Sequence, residues 1–237
     1  MKLALVLIVA SGALFGETAA KSNWVLTFAD EFAGRDLDFA KWAPHSGAGK
    51  APQVVPGAVE VSDGHARITA RREDGKFTSG VISSYGTFGQ MYGRFEVRLK
   101  APQGRGFESR VRLMPVPSGT VPAIDVVRIL GTAPDRALFG NLWGDEKTER
   151  SFSGSWNLNA AGDGFHVIAV EWDASKIVWY LDGKERFRSV DGVPHQPMYV
   201  EIDLNVAGGE AKYPDSTTPF PSSLEIDYVR AWKPAGL

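Results

Sequence analysis

Charged and apolar side chains alternate along the segment Phe107–Met114, and this is the first place where the sequence indicates chemistry. Successive side chains of an extended strand point to opposite faces, so Glu108, Arg110 and Arg112 share one face. Three charges turned into a core would carry heavy desolvation costs, and this face is therefore expected to be exposed. Arginine forks grip carboxylate or sulfate groups, and a carboxyl group can transfer protons, so the face could bind an anion or do acid–base work.

Composition and spacing exclude several other kinds of site. The 237-residue chain has no cysteine, which rules out disulfides, thiolate metal sites and cysteine nucleophiles. Its four histidines lack metal-ligand spacing such as His-x-x-x-His, and no Gly-x-Ser-x-Gly nucleophile elbow occurs. Because 26 Lys and Arg face 28 Asp and Glu, the net charge is −2 and the chain is not a generic polybasic nucleic-acid binder. No organic cofactor is indicated.

The elements that must position the charged face have the pattern of strands. Short apolar–polar alternations recur between turn signals, as in Gly93–Lys100 and Leu224–Trp232, and Asp182-Gly183 after an apolar run marks a hairpin. No long amphipathic helix and no internal repeat interrupts them. The sequence therefore predicts one antiparallel, all-β sandwich over residues 21–237.

The first twenty residues have the pattern of a secretory signal peptide. Lys2 is followed by a nearly unbroken apolar run, Leu3–Phe15, and by small residues in Thr18–Ala20 that suit a cleavage site. The run is too short to span a bilayer comfortably, and no second run is long enough to anchor the protein. We therefore expect cleavage after Ala20 and a soluble, secreted or periplasmic mature chain from Lys21 with no membrane anchor.

A series of motifs follows in a fixed order along the mature chain. The motifs are Trp24–Phe32 with Trp42, Ser79–Ile82, Tyr92–Arg98, Phe165–Trp172, Trp179–Gly183, Asn205–Gly209, Phe220-Pro221 and Asp227–Arg230. This series resembles glycoside hydrolase family 16, the laminarinase and lichenase family. The resemblance implies a concanavalin A-like jelly roll of two curved antiparallel sheets, with a glycan cleft across the concave face. A polysaccharide or oligosaccharide is the implied partner, and we expect a monomer.

The segment Val121–Gly131 departs from the catalytic pattern that the resemblance implies. That pattern is Glu-x-Asp-x-x-Glu or Glu-x-Asp-x-Glu, with one Glu as nucleophile, the other as acid/base and the Asp tuning their protonation. Aligned on Asp125, the chain has Ala123 at the nucleophile position and Arg128 at the acid/base position; a short deletion before Ile124 would also remove the nucleophile. Alanine has no attacking group and arginine stays protonated, so the family's retaining mechanism is predicted to be absent.

The charged residues that replace the family's sugar-stacking aromatics admit three interpretations. They could neutralise one another in a salt-bridge network that closes the cleft, as in a structural or adhesion protein. Arg110, Arg112 and Arg128 could instead bind an anionic glycan that carries uronic acids or sulfates. Glu108 and Asp125 could form a relocated hydrolytic pair, although the arginines would tend to keep both ionised. We expect carbohydrate binding without β-glucanase activity, with an active hydrolase or lyase as the competing hypothesis.

The resemblance also implies a structural calcium site on the convex side. Its oxygen ligands would be Glu31, the backbone carbonyl of Gly64 and Asp227, a donor set that suits Ca²⁺. The alternative is that the two carboxylates bond to backbone groups or to arginines.

Two tryptophans are candidates for stacking on a sugar ring. Trp143 and Trp156 lie in loop-like stretches after the charged segment Phe107–Met114, whereas the other five tryptophans fall in sandwich strands or at their ends and are expected in the core.

Overall fold

The computed structural model describes residues 24–44, 53–145, 148–158, 164–206 and 209–236, and nearly all of their regular structure is β. In chain order the strands are β1 (Trp24–Asp30), β2 (Ala43–Pro44), β3 (Gln53–Val54), β4 (Val59–Ser62), β5 (His65–Glu73), β6 (Lys76–Ser79), β7 (Val81–Ser83), β8 (Gly93–Lys100), β9 (Phe107–Pro115), β10 (Ala123–Leu130), β11 (Arg136–Trp143), β12 (Arg150–Asn157), β13 (His166–Trp172), β14 (Ile177–Leu181), β15 (Lys184–Ser189), β16 (Met198–Val206) and β17 (Ser222–Pro234). Two short 3-10 turns, Pro56–Ala58 and Gly209–Ala211, complete the regular structure of these ranges, which contain no α-helix.

No helix in the described ranges has the length and apolar character needed to cross a membrane. The expected signal peptide, Met1–Ala20, lies outside the described residues, so export stays a prediction.

The strands form two sheets. The larger has ten strands in the order β15-β14-β13-β8-β17-β5-β6-β3, with β1 beside β17 and β4 beside β5. The smaller has seven strands in the order β12-β11-β10-β9-β16-β7-β2. Pairing between the described strands is antiparallel except for the short pair of β3 with β6. The all-β prediction and the two antiparallel sheets are therefore confirmed.

The strand boundaries follow the turn chemistry of the sequence. The predicted alternating runs lie within β8 and β17, and the run before Asp182 is β14. Asp182 and Gly183 join β14 to β15 with φ angles of 50° and 75°. A two-residue type I′ turn requires this left-handed geometry at both positions, and glycine adopts it without steric cost.

The core lies between the two sheets. Along β9 the side chains of Phe107, Val111 and Leu113 are buried, while the charged residues that alternate with them remain half-buried. The largest side chains that are fully buried are Trp42, Trp172, Trp179, Phe107, Ile68, Ile82, Leu99, Leu113, Ile124, Ile168, Ile177 and Met198. Burial of this apolar surface is the main stabilising contribution that a chain without disulfides can draw on.

One core tryptophan is bonded to an irregularity in β10. Asp125 and Val127 pair with two consecutive residues of β9, so Val126 between them is the extra residue of a β-bulge. The indole N–H of Trp179, from the other sheet, donates to the Asp125 carbonyl with an N···O distance of 2.9 Å. This hydrogen bond attaches the bulge to the core.

Replacing Trp179 by Phe should therefore lower the free energy of unfolding by about 1 to 3 kcal/mol, because the Asp125 carbonyl loses its donor at a partly buried position. Urea denaturation followed by circular dichroism measures the change. Trp156→Phe is the matched control, since Trp156 is 42% exposed and makes no hydrogen bond to a described residue. Equal losses in the two variants would contradict the role given to this bond.

Candidate functional site

Seven charged side chains form one surface on the seven-stranded sheet. β10, β9 and β16 lie side by side in its middle, and directly opposed residues of antiparallel strands share a face. We call this surface the outer face; it consists of Glu108, Arg110, Arg112, Asp125, Arg128, Glu201 and Asp203. The register sets Asp125 with Arg112 and Glu201 in one row, and Arg128 with Arg110 and Asp203 in the next. The acids of β16 thus lie directly beside the arginines of β9.

The bulge at Val126 decides which residues of β10 reach the outer face. Asp125 and Arg128 are three residues apart, and strict alternation would send them to opposite sides of the sheet. The extra residue turns both of them outward, while Val126 and Val127 are each 1% exposed in the core.

Two arginines of β9 are held by carboxylates of β16. Arg110 donates from Nε and Nη2 to Asp203 Oδ2 at 3.0 and 2.9 Å, and the Asp203 side chain is only 4% exposed. Arg112 donates from Nη2 to Glu201 Oε1 at 2.5 Å. Charge-assisted contacts of this kind are among the stronger hydrogen bonds in proteins.

The third arginine, Arg128, bridges two glutamates. Its Nη2 donates to Glu210 Oε2 at 2.6 Å, and its Nη1 donates to Glu108 Oε1 at 3.3 Å. Together with Glu210, the outer face has five carboxyl groups and three guanidinium groups. Each of the three guanidinium groups is bonded to a carboxylate. The outer face therefore presents no free positive charge.

Asp125 is the exception on this surface, because its carboxyl group has no hydrogen bond or ion pair with any residue that the structure describes. Burial raises the pKa of the Asp125 carboxyl above its ordinary value, although the positive charges of Arg112, Arg128 and Arg110 act in the opposite direction. Asp125 is thus a half-buried acceptor without a partner.

A pocket of about 180 Å³ opens beside Asp125. Gly140 of β11 lies directly opposite Asp125 and lines the pocket; a Cβ at this position would collide with the Phe152 carbonyl oxygen of β12. Ser151 and Ser153 of β12 line the pocket further along the sheet. A carboxylate that only accepts hydrogen bonds and two hydroxyls that both donate and accept suit a ligand rich in hydroxyl groups.

At Ala123 the same strand becomes apolar. Ala123 is 3% exposed and forms a small cluster with Met114 and Tyr199, against which Val116 and Leu142 pack. The position two residues before Asp125 therefore has no polar group and is enclosed by apolar neighbours.

The structure does not bring Glu108 and Asp125 together as a pair. Glu108 lies opposite Leu130, whereas Asp125 lies opposite Arg112, four residues further along β9. Four residues of an antiparallel strand span about 13 Å, and the row that contains Arg128 lies between the two carboxylates.

Trp143 does not lie on the outer face either. Alternation along β11 places it with the inward-facing side chains, and a Cβ on Gly192 would meet its ring at 2.1 Å. Trp156 lies opposite the buried Ala137 and has the same inward direction at the edge of the sheet. Neither indole faces Asp125.

The predicted calcium ligands belong to the ten-stranded sheet and its adjoining turns. Glu31 accepts two hydrogen bonds from Arg230, at 2.7 and 2.8 Å, and Asp227 accepts one from Arg98 at 2.6 Å; Gly64 lies in the turn between β4 and β5. Within the described ranges, no three side chains from His, Cys, Asp and Glu group closely enough to hold a metal ion. The two carboxylates are thus bonded to arginines, which is the alternative stated from the sequence, and calcium binding stays a prediction.

Glu201 and Asp203 are the residues of this surface that sequence reasoning missed. Their strand contains a signal that could have identified them, because they alternate with the apolar residues Val200, Ile202 and Leu204. The same alternation in β9 was recognised in the sequence because it contains three charged residues, whereas β16 contains only two.

Comparisons with known proteins agree on one family. The family described as glycosyl hydrolases family 16 matches residues 50–230. The endo-1,3-1,4-beta-glycanase ExsH of Rhizobium meliloti is 31% identical over 157 residues, which cover 66% of this chain and 33% of that protein. A beta-glucanase of Rhodothermus marinus is 27% identical over 251 residues, covering 89% of this chain and 86% of the relative. The chain spans 33% and 41% of the lengths of two Rhizobium meliloti glycanases that it matches.

Solved structures show the same fold. The laminarinase from Rhodothermus marinus superposes with a TM-score of 0.77 at 27% identity, covering 90% of this chain and 98% of that chain. The laminarinase catalytic domain from Thermotoga maritima gives a TM-score of 0.79 at 24% identity, covering 89% and 98%. The jelly-roll arrangement expected from the sequence is therefore confirmed.

A double-mutant cycle tests the buried pair on the outer face. Arg110→Met leaves the Asp203 carboxylate without its main partner and should lower the free energy of unfolding by about 3 kcal/mol. Adding Asp203→Leu should recover most of this loss, because no uncompensated charge then remains buried. The control is the cycle for Glu31 and Arg230, whose side chains are 50% and 30% exposed; its coupling energy should stay below about 1 kcal/mol. Equal coupling energies from the two urea-denaturation cycles would refute the assignment.

The raised pKa of Asp125 predicts a pH-dependent effect of Asp125→Asn. A carboxyl whose pKa is higher in the folded state opposes folding once it ionises, so its cost appears as the pH rises through the folded-state pKa. Asp125→Asn should therefore raise the melting temperature at pH 7, and the gain should disappear as the pH falls below the ordinary carboxyl value of 3.8. Calorimetry of both proteins from pH 3 to 7 measures the difference. A gain that does not change with pH would count against a raised pKa.

Proposed function

This chain belongs to glycosyl hydrolase family 16, and from that premise we propose that it binds a neutral polysaccharide of the β-glucan class on the outer face without hydrolysing it. The observation that carries the proposal is the composition of β10. Asp125 is the only carboxylate of this strand, and the neighbouring positions on the same side of the sheet are Ala123 and Arg128. The β-glucan class comes from the names of the relatives, which include a beta-glucanase, a laminarinase and an endo-1,3-1,4-beta-glycanase.

Retaining hydrolysis requires two carboxyl groups about 5 to 5.5 Å apart, one as nucleophile and one as acid/base. The family resemblance assigns these roles to the positions of Ala123 and Arg128. Ala123 offers no attacking atom and is enclosed by apolar side chains. Arg128 has no carboxyl group, and its guanidinium is held by Glu108 and Glu210. At these positions the chain therefore has no residue for either step.

The remaining acids of the outer face are also poorly arranged for hydrolysis. Glu201 lies two strands away from Asp125, a backbone separation of about 10 Å, and Arg112 between them is bonded to Glu201. Asp203 is engaged on both sides of its carboxylate by Arg110. A carboxylate whose oxygens are bonded to an arginine is not free to act on a bound sugar.

The pocket beside Asp125 supports binding of a sugar. Its carboxylate can accept hydrogen bonds from sugar hydroxyls, and Ser151 and Ser153 add groups that both donate and accept. The excess of carboxyl over guanidinium groups favours a neutral ligand over the anionic glycan considered from the sequence. The outer face would then recognise a glucan through hydroxyl contacts at Asp125 instead of through its arginines.

Isothermal titration calorimetry with laminarin and lichenan tests the binding. We expect the wild type to bind at least one of them, and Asp125→Ala to weaken binding about tenfold or more, since a hydrogen bond to a charged group contributes about 1.5 to 3 kcal/mol. Glu60→Gln, which removes one exposed carboxylate from the ten-stranded sheet, is the matched control and should leave the affinity unchanged. Failure of the wild type to bind either glucan would overturn the binding proposal.

Reducing-end release during long incubation tests the absence of hydrolysis. The wild type should release no more than a Glu108→Ala, Asp125→Ala double variant. The raised pKa of Asp125 favours one competing function, hydrolysis with Asp125 as general acid, because such an acid must hold its proton until the transition state. Release by the wild type that the double variant lacks would establish that function and overturn ours.

A further inference from the structure

A second surface lies where the edges of the two sheets meet. β12 is the edge strand of the seven-stranded sheet and β15 that of the ten-stranded sheet. They are joined by the stacked rings of Phe152 and Phe187, whose centroids are 5.0 Å apart. Beside this contact is an open groove of about 620 Å³, which we call the edge groove. It is lined by Arg136, Ser155, Trp156, Asn157, Lys184 and Arg186.

The edge groove has the uncompensated positive charge that the outer face lacks. Arg136, Lys184 and Arg186 line it together, and no acidic residue does. Among the residues that the structure describes, none of the three has a carboxylate within ion-pair distance. Glu185, between two of them in sequence, is instead bonded to Arg188 at 2.8 Å. The groove therefore presents three cations without counter-charges.

Arg186 and Trp156 form the ordered part of the groove. The guanidinium carbon of Arg186 lies 4.6 Å from the centre of the Trp156 ring, which holds the arginine in place by a cation–π contact. Its Nε is buried and has no hydrogen-bond acceptor, and the guanidinium makes no hydrogen bond to a described residue. Trp156 remains 42% exposed beside it. A positioned arginine fork without an acceptor suits a bidentate contact with an anion.

We propose that the edge groove binds an anionic sugar, a pyranose that carries a carboxylate or a sulfate. The three cations contact the anionic substituent, the exposed indole of Trp156 packs against the ring, and Ser155 and Asn157 bond its hydroxyls. Three cations on a chain of net charge −2 are few for nucleic acid, and the aromatic and amide side chains favour a sugar over a lipid headgroup. The site is separate from Asp125 and does not depend on the function proposed for the outer face.

Affinity electrophoresis of the purified chain tests this proposal. The probes are polygalacturonate for carboxylate, dextran sulfate for sulfate, and neutral dextran as the uncharged reference. The wild type should bind at least one anionic probe about tenfold more tightly than dextran, and the arm that binds identifies the anion. Lys184→Gln with Arg186→Gln should reduce this affinity about tenfold or more, and Trp156→Ala should also weaken it.

Matched variants separate a built site from general charge. Arg71→Gln with Lys176→Gln removes one arginine and one lysine outside the groove, and both of these cations have carboxylate partners. This control should change the affinity less than about twofold. An equal loss in the control variant would overturn the proposal, as would tighter binding to single-stranded RNA or to phosphatidylserine vesicles than to either anionic polysaccharide.

Discussion

The β-bulge at Val126, fastened by the hydrogen bond from the Trp179 indole to the Asp125 carbonyl, sets the arrangement on which the candidate site depends. Without the extra residue, period-two alternation would direct either Asp125 or Arg128 into the core, where an unpaired charge costs several kcal/mol. With it, both side chains face outward while Val126 and Val127 fill the core behind them. The position of Asp125 beside Arg112 and the contacts of Arg128 with Glu108 and Glu210 follow from that local geometry.

The arginines of this surface show that residues on a neighbouring strand determine whether a charged side chain can bind a ligand. Arg110 and Arg112 could in principle grip an anionic ligand, but β16 places Asp203 and Glu201 directly beside them. Once each guanidinium is bonded to a carboxylate, its charge is neutralised and it binds a further anion only weakly. Asp125, in the same surface, has no such partner and becomes the group available to a ligand.

The chain has two candidate binding surfaces that differ in charge. The outer face has more carboxyl than guanidinium groups, with a small hydroxyl-lined pocket beside Asp125. The edge groove has three cations without counter-charges around the partly exposed Trp156. A polysaccharide-binding scaffold with these two sites would distinguish neutral from charged sugars by position rather than by one common pocket. The two proposals are independent because they share no residue.

The sequence by itself determined the strands, the sandwich and the family, because alternation and turn residues such as Asp182-Gly183 act within a few positions of the chain. It also identified Asp125 as the acid left between Ala123 and Arg128. Only the tertiary structure decided the pairing of each arginine, the separation of Glu108 from Asp125 and the inward direction of Trp143. The physical reason is that these contacts join strands far apart in sequence, where one residue of register or one bulge changes which side chains meet.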